Sequence, residues 1–196
     1  MYTKHTWNSD KHFNFKYVQY LPKDFNPEEK YPLVFFLHGA GERGEDLDIG
    51  CRHGYMKHVR EDGAEYPFIF IGPQCPEDKY WGCYTESLIA FLEEKMAELP
   101  IDPDRVYLTG LSMGGTGIYW NGYMLKDVPI MVYHGDLDTV VPINESMHMI
   151  ESVNKKGGNA QIKILYHTGH DAWVDAYKND ELWKWFLSHK RENRNE

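Results

Sequence analysis

At 196 residues the chain has room for one domain with a sizeable core, and residues 1–196 are read as a single domain. A formal net charge of -9 argues against nucleic acid or an anionic membrane as partner. An aromatic content of 15% argues against long disordered tracts.

Three cysteines, Cys51, Cys75 and Cys83, are too few for a disulfide framework. Cys75 and Cys83 have the option of pairing, but reduced thiols are the expectation. The stretch from Met1 to Asn8 lacks the apolar core of a signal peptide, and no apolar run reaches membrane-spanning length. The expectation is a soluble, cytoplasmic protein, or a secreted one if a leader has been trimmed away. Ten histidines invite a metal, yet their spacing does not support one. His167 and His170 flank a strand-to-loop junction, His53 and His58 are five apart, and neither Cys nor carboxylate completes a ligand set. No metal and no cofactor are expected.

In chain order, Phe13, Phe15 and Tyr17 alternate with polar residues and predict a strand over 13–21 with one buried face. Pro22 to Lys30 is a connecting loop. Tyr31 to Leu37 is a continuous apolar run, as in a strand covered on both faces, and ends in His38-Gly39-Ala40-Gly41. Such a turn exposes backbone N–H groups at a sheet's C-terminal edge. Arg43, alone among Glu42, Glu45 and Asp46, reads as an ion-pair anchor of that loop. Residues 51–65 suggest a short helix with Met56 and Val59 inward. Phe68 to Ile71 is a second buried strand.

Thr85 reads as the cap of a helix whose inward stripe is Leu88, Ile89, Leu92, Met96 and Leu99, ended by Pro100. Arg105 to Thr109 reads as a short buried strand, with Val106 and Leu108 apolar. A helix follows Ser112 and runs on from Thr116 to about Leu125. Ile130 to Tyr133 is a strand, and 145–155 is helical with Met149, Ile150 and Val153 inward. Ile162, Ile164 and Tyr166 alternate as the last strand. Leu182, Trp185 and Phe186 share one face of the final helix, and the tail after Lys190 is charged and frayed.

Alternating strands and helices predict an α/β fold, a three-layer α/β/α sandwich on a mostly parallel sheet. Sites in such sheets lie beyond the C-terminal strand ends. Ser112 sits there in Gly110-Leu-Ser-Met-Gly114, a G-x-S-x-G sequence between a strand and a helix, where Met113 opens the helix and its N–H groups favour an oxyanion. Asp138 and His170 also sit just after predicted strands. Three unrelated loops thus bring a hydroxyl, a carboxylate and an imidazole to one edge. Asp136 is a rival acid, and His167 and His134 are rival bases. Asp138 stands further into its loop than Asp136, and His170 follows a glycine that suits a turn presenting a side chain.

The segments Tyr31–Gly44, Gly72–Pro76, Asp102–Gly115, His134–Asp138 with Val141-Pro142, and Gly169–Trp173 resemble, in order, the α/β-hydrolase superfamily. The resemblance is to its compact carboxylesterase and dienelactone-hydrolase-like branch, related to polyhydroxybutyrate depolymerases and to feruloyl and acetylxylan esterases. It implies Ser112 as nucleophile, His170 as base, Asp138 as orienting acid, and the N–H groups of Met113 and Ala40 as the oxyanion hole. The implied reaction is hydrolysis of small or plant-derived esters, acetyl or feruloyl in type, through an acyl-enzyme. Trp81 and Trp173 are candidate substrate contacts, with Tyr80 and Trp120 as further aromatic walls. The chain departs from the family after Ser112, where one strand-helix region is missing. Lost cover there predicts a homo-oligomer. The alternatives are a catalytically weak binding or assembly protein on the same scaffold, and a serine peptidase.

Overall fold

Leu33-Val-Phe-Phe-Leu37 is buried at every position because its strand is covered on both faces. In the computed structural model, which describes residues 1–116 and 125–191, this strand is β3 (Tyr31–Leu37). The other strands are β1 (Tyr2–Trp7), β2 (Phe15–Tyr20), β4 (Ile69–Pro73), β5 (Ile101–Gly110), β6 (Ile130–Gly135) and β7 (Ala160–Leu165). The helices are α1 (Leu47–Gly50), α2 (Gly54–Glu61), α3 (Thr85–Glu98), α4 (Met113–Thr116), α5 (Ile143–Asn154), α6 (Trp173–Lys178) and α7 (Glu181–Leu187). Two compact units result: Met1–Gly117 with Trp183–Glu196, and Ile118–Leu182.

The first unit holds a five-stranded sheet in the order β1-β2-β4-β3-β5. β3 is parallel to β4 and β5, whereas β2 is antiparallel to both β1 and β4. The fold is α/β, with a mixed rather than a purely parallel sheet. The antiparallel part comes from β2, which runs against both its neighbours; β1, a strand the sequence reading does not place, returns into it without the crossover helix that parallel pairing needs. β5 is longer than its apolar core suggests and is not the buried strand expected, since most of it is only partly covered and Leu108 is 47% exposed. It begins at Ile101, and its register with β3 slips between Tyr31 and Leu33.

Both faces of this sheet are covered. On one, Phe91 of α3 is 0% exposed, its ring 5.2 Å from Trp7 and 4.9 Å from Tyr17. Of the expected stripe on α3, Leu88, Leu92, Met96 and Leu99 pack against this core, whereas Ile89 is 52% exposed; Phe91 and Lys95, outside the stripe, are buried. A long aliphatic stem lets a lysine run over apolar surface. Lys95 Nζ stands 5.4 Å from the Tyr17 ring centre and bonds Glu98. Thr85 begins α3 rather than capping it, its hydroxyl donating to Gly82 O at 3.3 Å. On the other face, Tyr55 and Met56 of α2 are fully buried, and Phe186 of α7 stacks on Tyr107 at 5.5 Å.

In the second unit β6 and β7 pair in parallel. Met149 and Val153 of α5 close a small core with Val132 and Ala160. Tyr166 lies beyond β7 and is exposed, because the chain has already turned away. The helix expected beyond Thr116, with Trp120, lies outside the described residues, as does most of the charged tail. No described helix is long and apolar enough to cross a membrane.

Candidate active site

β3 and β5 end side by side, with Leu37 paired to Gly110 and Leu111 N–H donating to Leu37 O at 3.2 Å. The chain then reverses sharply. Ser112 holds φ 48°, a left-handed conformation that costs a residue with a Cβ roughly 1–3 kcal/mol. Gly114 N–H closes the turn on Leu111 O at 2.8 Å, and α4 starts at Met113. A Cβ on Gly114 would overlap the Leu37 carbonyl. Glycine therefore lets the outgoing helix cross the strand end so closely, and this holds the serine in its strained turn.

The loop after β3 runs beside this serine. A Cβ on Gly39 would stand 3.5 Å from Ser112 Cβ. Ala40–Glu42 form a 3-10 turn. Its anchor is the buried carboxylate of Glu42, which accepts from Arg52 Nε at 3.0 Å and Nη2 at 2.6 Å. Gln74 also donates to Glu42 O at 2.6 Å. Arg43 is not the expected ion-pair anchor. Its Nε donates to Ala40 O at 2.9 Å, its Nη1 to Lys79 O at 3.1 Å, and its guanidinium lies 5.0 Å from the Tyr80 ring centre. Nothing in the spacing of Arg52 or Gln74 marks them as partners of this loop, since the fold alone brings them there. Trp81 is 2% exposed, and its indole N–H donates to His38 O at 2.9 Å, so its contact is with the loop's backbone.

In the second unit, the loops after β6 and β7 cross tightly. A Cβ on Gly135 would overlap the carbonyls of Thr168 and Gly169. Asp138 Oδ1 accepts from the N–H groups of Val140 and Val141, each at 2.9 Å. Its Oδ2 lies 2.8 Å from His170 Nδ1. Burial alone would raise the Asp138 carboxyl. The bonds from His170, Val141 and Val140 outweigh it and hold the group below its ordinary value. Since an ionised carboxylate only accepts, His170 donates to it from Nδ1, and the tautomer this bond selects has its lone pair on Nε2.

Of the rival residues, His134 lies against the same carboxylate, its Nε2 3.4 Å from Asp138 Oδ2, while Asp136 and His167 stand elsewhere in the same unit. Asp136 Oδ1 accepts from Thr168 N–H at 3.3 Å and ties the two loops together. His134 is buried, its Nδ1 2.8 Å from Ser146 Oγ and its Nε2 2.9 Å from Val141 O. His167 is exposed and holds φ 58°, a strained residue that its side-chain type does not announce. Trp173 meets the His170 ring edge-on, centres 5.3 Å apart.

All three cysteines are free thiols. Among the described residues no three His, Cys, Asp or Glu side chains group as a metal site.

A family model described as the prolyl oligopeptidase family matches residues 120–192. Endo-1,4-beta-xylanase Y of Acetivibrio thermocellus is 22% identical over 186 residues, 83% of this chain and 17% of that protein. Among solved structures, a thermostable esterase superposes with a TM-score of 0.84 at 28% identity, over 97% of this chain and 63% of that one. A ferulic acid esterase superposes with a TM-score of 0.67 at 18% identity, over 91% of this chain and 95% of that one. The chain thus spans a small part of the xylanase and less than two thirds of the thermostable esterase.

Proposed function

We propose that the chain is a member of the α/β-hydrolase superfamily and a serine carboxylic-ester hydrolase built as one domain over residues 1–196, a reading supported by its likeness to esterases. The observation that carries the proposal is the strained turn at Ser112. A serine held at positive φ between a strand and a helix costs stability that a simple turn has no reason to spend.

In this reading Ser112 Oγ attacks the ester carbonyl carbon while His170 Nε2 takes its proton. Asp138 holds the imidazole tautomer and stabilises the imidazolium. The N–H groups of Met113 and Ala40 bind the oxyanion, each worth roughly 3 kcal/mol of barrier. Collapse expels the alcohol with the proton from His170 and leaves an acyl-serine. The same imidazole then takes a proton from the water that attacks that ester and gives it to Ser112 Oγ as the acid leaves.

Acetyl and feruloyl esters are the proposed substrates, supported by the names of the ferulic acid esterase and the xylanase. Trp173, beside His170, is the aromatic residue we place against the substrate. A peptidase is the second reading, and the match to the prolyl oligopeptidase family favours it. We also propose a homo-oligomer. Leu108 lies on β5, the last strand in the sheet's order, and is 47% exposed. A monomer mass by light scattering at micromolar concentration would remove that proposal.

The test of function is a burst of nitrophenol from nitrophenyl acetate that is lost in Ser112→Ala. Faster turnover of peptide anilides than of esters would favour the peptidase. Folded protein with no burst on either substrate contradicts both readings.

A further inference from the structure

We infer that His38 is a positioning residue that aims the Ala40 N–H at the oxyanion, and does so only as the neutral imidazole. The inference rests on the hydrolase reading above.

His38 is 1% exposed. Its Nδ1 lies 2.8 Å from Gly39 O, and its Nε2 lies 3.0 Å from the Cys75 backbone nitrogen. A carbonyl can only accept and a backbone N–H can only donate. The ring is therefore neutral, with its proton on Nδ1 and its lone pair on Nε2. Gly39 C=O and Ala40 N–H belong to one peptide plane and point in opposite directions, since no peptide bond here is cis. Gripping that carbonyl fixes the direction of the N–H on its far side. Gly39 O also accepts from Glu42 N–H at 3.3 Å, and His38 O accepts from Trp81, so the histidine is clamped by its backbone and by both ring nitrogens.

Protonation would set an Nε2–H against the Cys75 N–H, two donors face to face, and break this clamp. The ionisable groups around the ring are Glu42 and Arg43 on its own loop and the Cys75 thiol on the loop after β4. Burial, with Arg43, pushes the imidazole below its ordinary value against the opposing pull of the Gly39 carbonyl and Glu42. The clamp is thus intact at neutral pH and fails only as pH falls through the folded value, which lies below the ordinary histidine value.

The experiment is the pH profile of kcat on nitrophenyl acetate for the wild type, His38→Asn and His38→Gln. An asparagine amide sits where Nδ1 sits and keeps the bond to Gly39 O. A glutamine amide sits nearer Nε2 and keeps only the Cys75 acceptor. His38→Asn is expected to retain kcat within about threefold at pH 7.5, with a shallower acid limb than the wild type. His38→Gln is expected to lose about 10- to 100-fold in kcat with little change in KM, less than the loss of a whole donor. Equal activities for the two variants, or an unchanged acid limb in His38→Asn, would overturn the inference. If neither variant folds, nitrogen-15 shifts of the wild-type imidazole decide it: Nδ1 protonated and Nε2 bare at pH 7 supports the clamp, and any other state refutes it. That readout needs no turnover, so an inactive wild type would count against the hydrolase reading and leave the tautomer result standing.

Discussion

Asp138 and His170 meet at 2.8 Å, carboxylate oxygen to Nδ1, while two backbone N–H groups occupy the other oxygen of the same carboxylate. Val140 and Val141 therefore fix the acid, and the acid fixes the ring. Replacing Asp138 by Asn keeps the shape but offers an amide where an acceptor is needed, which favours the wrong imidazole tautomer. Asp138→Asn is expected to lower kcat about 10³- to 10⁴-fold with little change in KM, measured by steady-state hydrolysis of nitrophenyl acetate. A loss under tenfold would show that His170 does not depend on this carboxylate.

The same pair gives stability a pH dependence of known sign. The Asp138 carboxyl is held below its ordinary value in the fold despite its burial, so the unfolded chain binds its proton more readily. Its contribution is present above about pH 4, the unfolded value, and is lost as pH falls through the folded value. Urea midpoints at pH 5, 4 and 3 should show the stability gap between wild type and Asp138→Asn narrowing as the pH drops. A constant gap would mean that the carboxylate carries no charge-dependent stability.

Packing on α3 makes a separate prediction. Phe91 is fully buried against Trp7, Phe15, Tyr17 and Phe35, whereas Ile89 two residues earlier is half in water. Phe91→Ala is expected to cost about 3–5 kcal/mol, and Ile89→Ala under about 1 kcal/mol, by urea denaturation. Similar costs would mean that α3 presents the other face.

The thiols should separate by reactivity. Burial pushes Cys51 up to about 12 and Cys75 up to about 11, while Cys83 is exposed. Iodoacetamide at pH 7.5 should label Cys83 in the native protein and all three cysteines after unfolding. Rapid native labelling of Cys75 would show that the loop beneath His38 opens.

Much of this fold was legible from apolar runs. Tyr31–Leu37 is a strand with the bounds its composition suggests, because a strand buried on both faces needs no periodicity to be seen. Met149 and Val153 likewise mark the inward face of α5. The misses have one cause, which is that tertiary partners decide what local pattern leaves open. β1 reads Tyr-Thr-Lys-His-Thr-Trp, too polar to announce a strand, and forms by pairing with β2. Lys95 looks like a surface residue until Tyr17 and Phe91 supply rings for it to cross. At the site, glycines at 110, 114 and 169 made the turns visible. The supports beneath them were not: Glu42 takes Arg52 from ten residues away, and His38 takes Cys75 from 37 residues away.

Ser112 as the attacking atom is the claim on which everything else depends. The most direct measurement is mass spectrometry of the protein after treatment with paraoxon, in the wild type and in His170→Ala. A diethylphosphoryl group is expected on the peptide carrying Ser112, forming at least about a thousandfold faster in the wild type than in the variant. Modification elsewhere, none at all in folded protein, or equal rates in the two proteins would contradict the account.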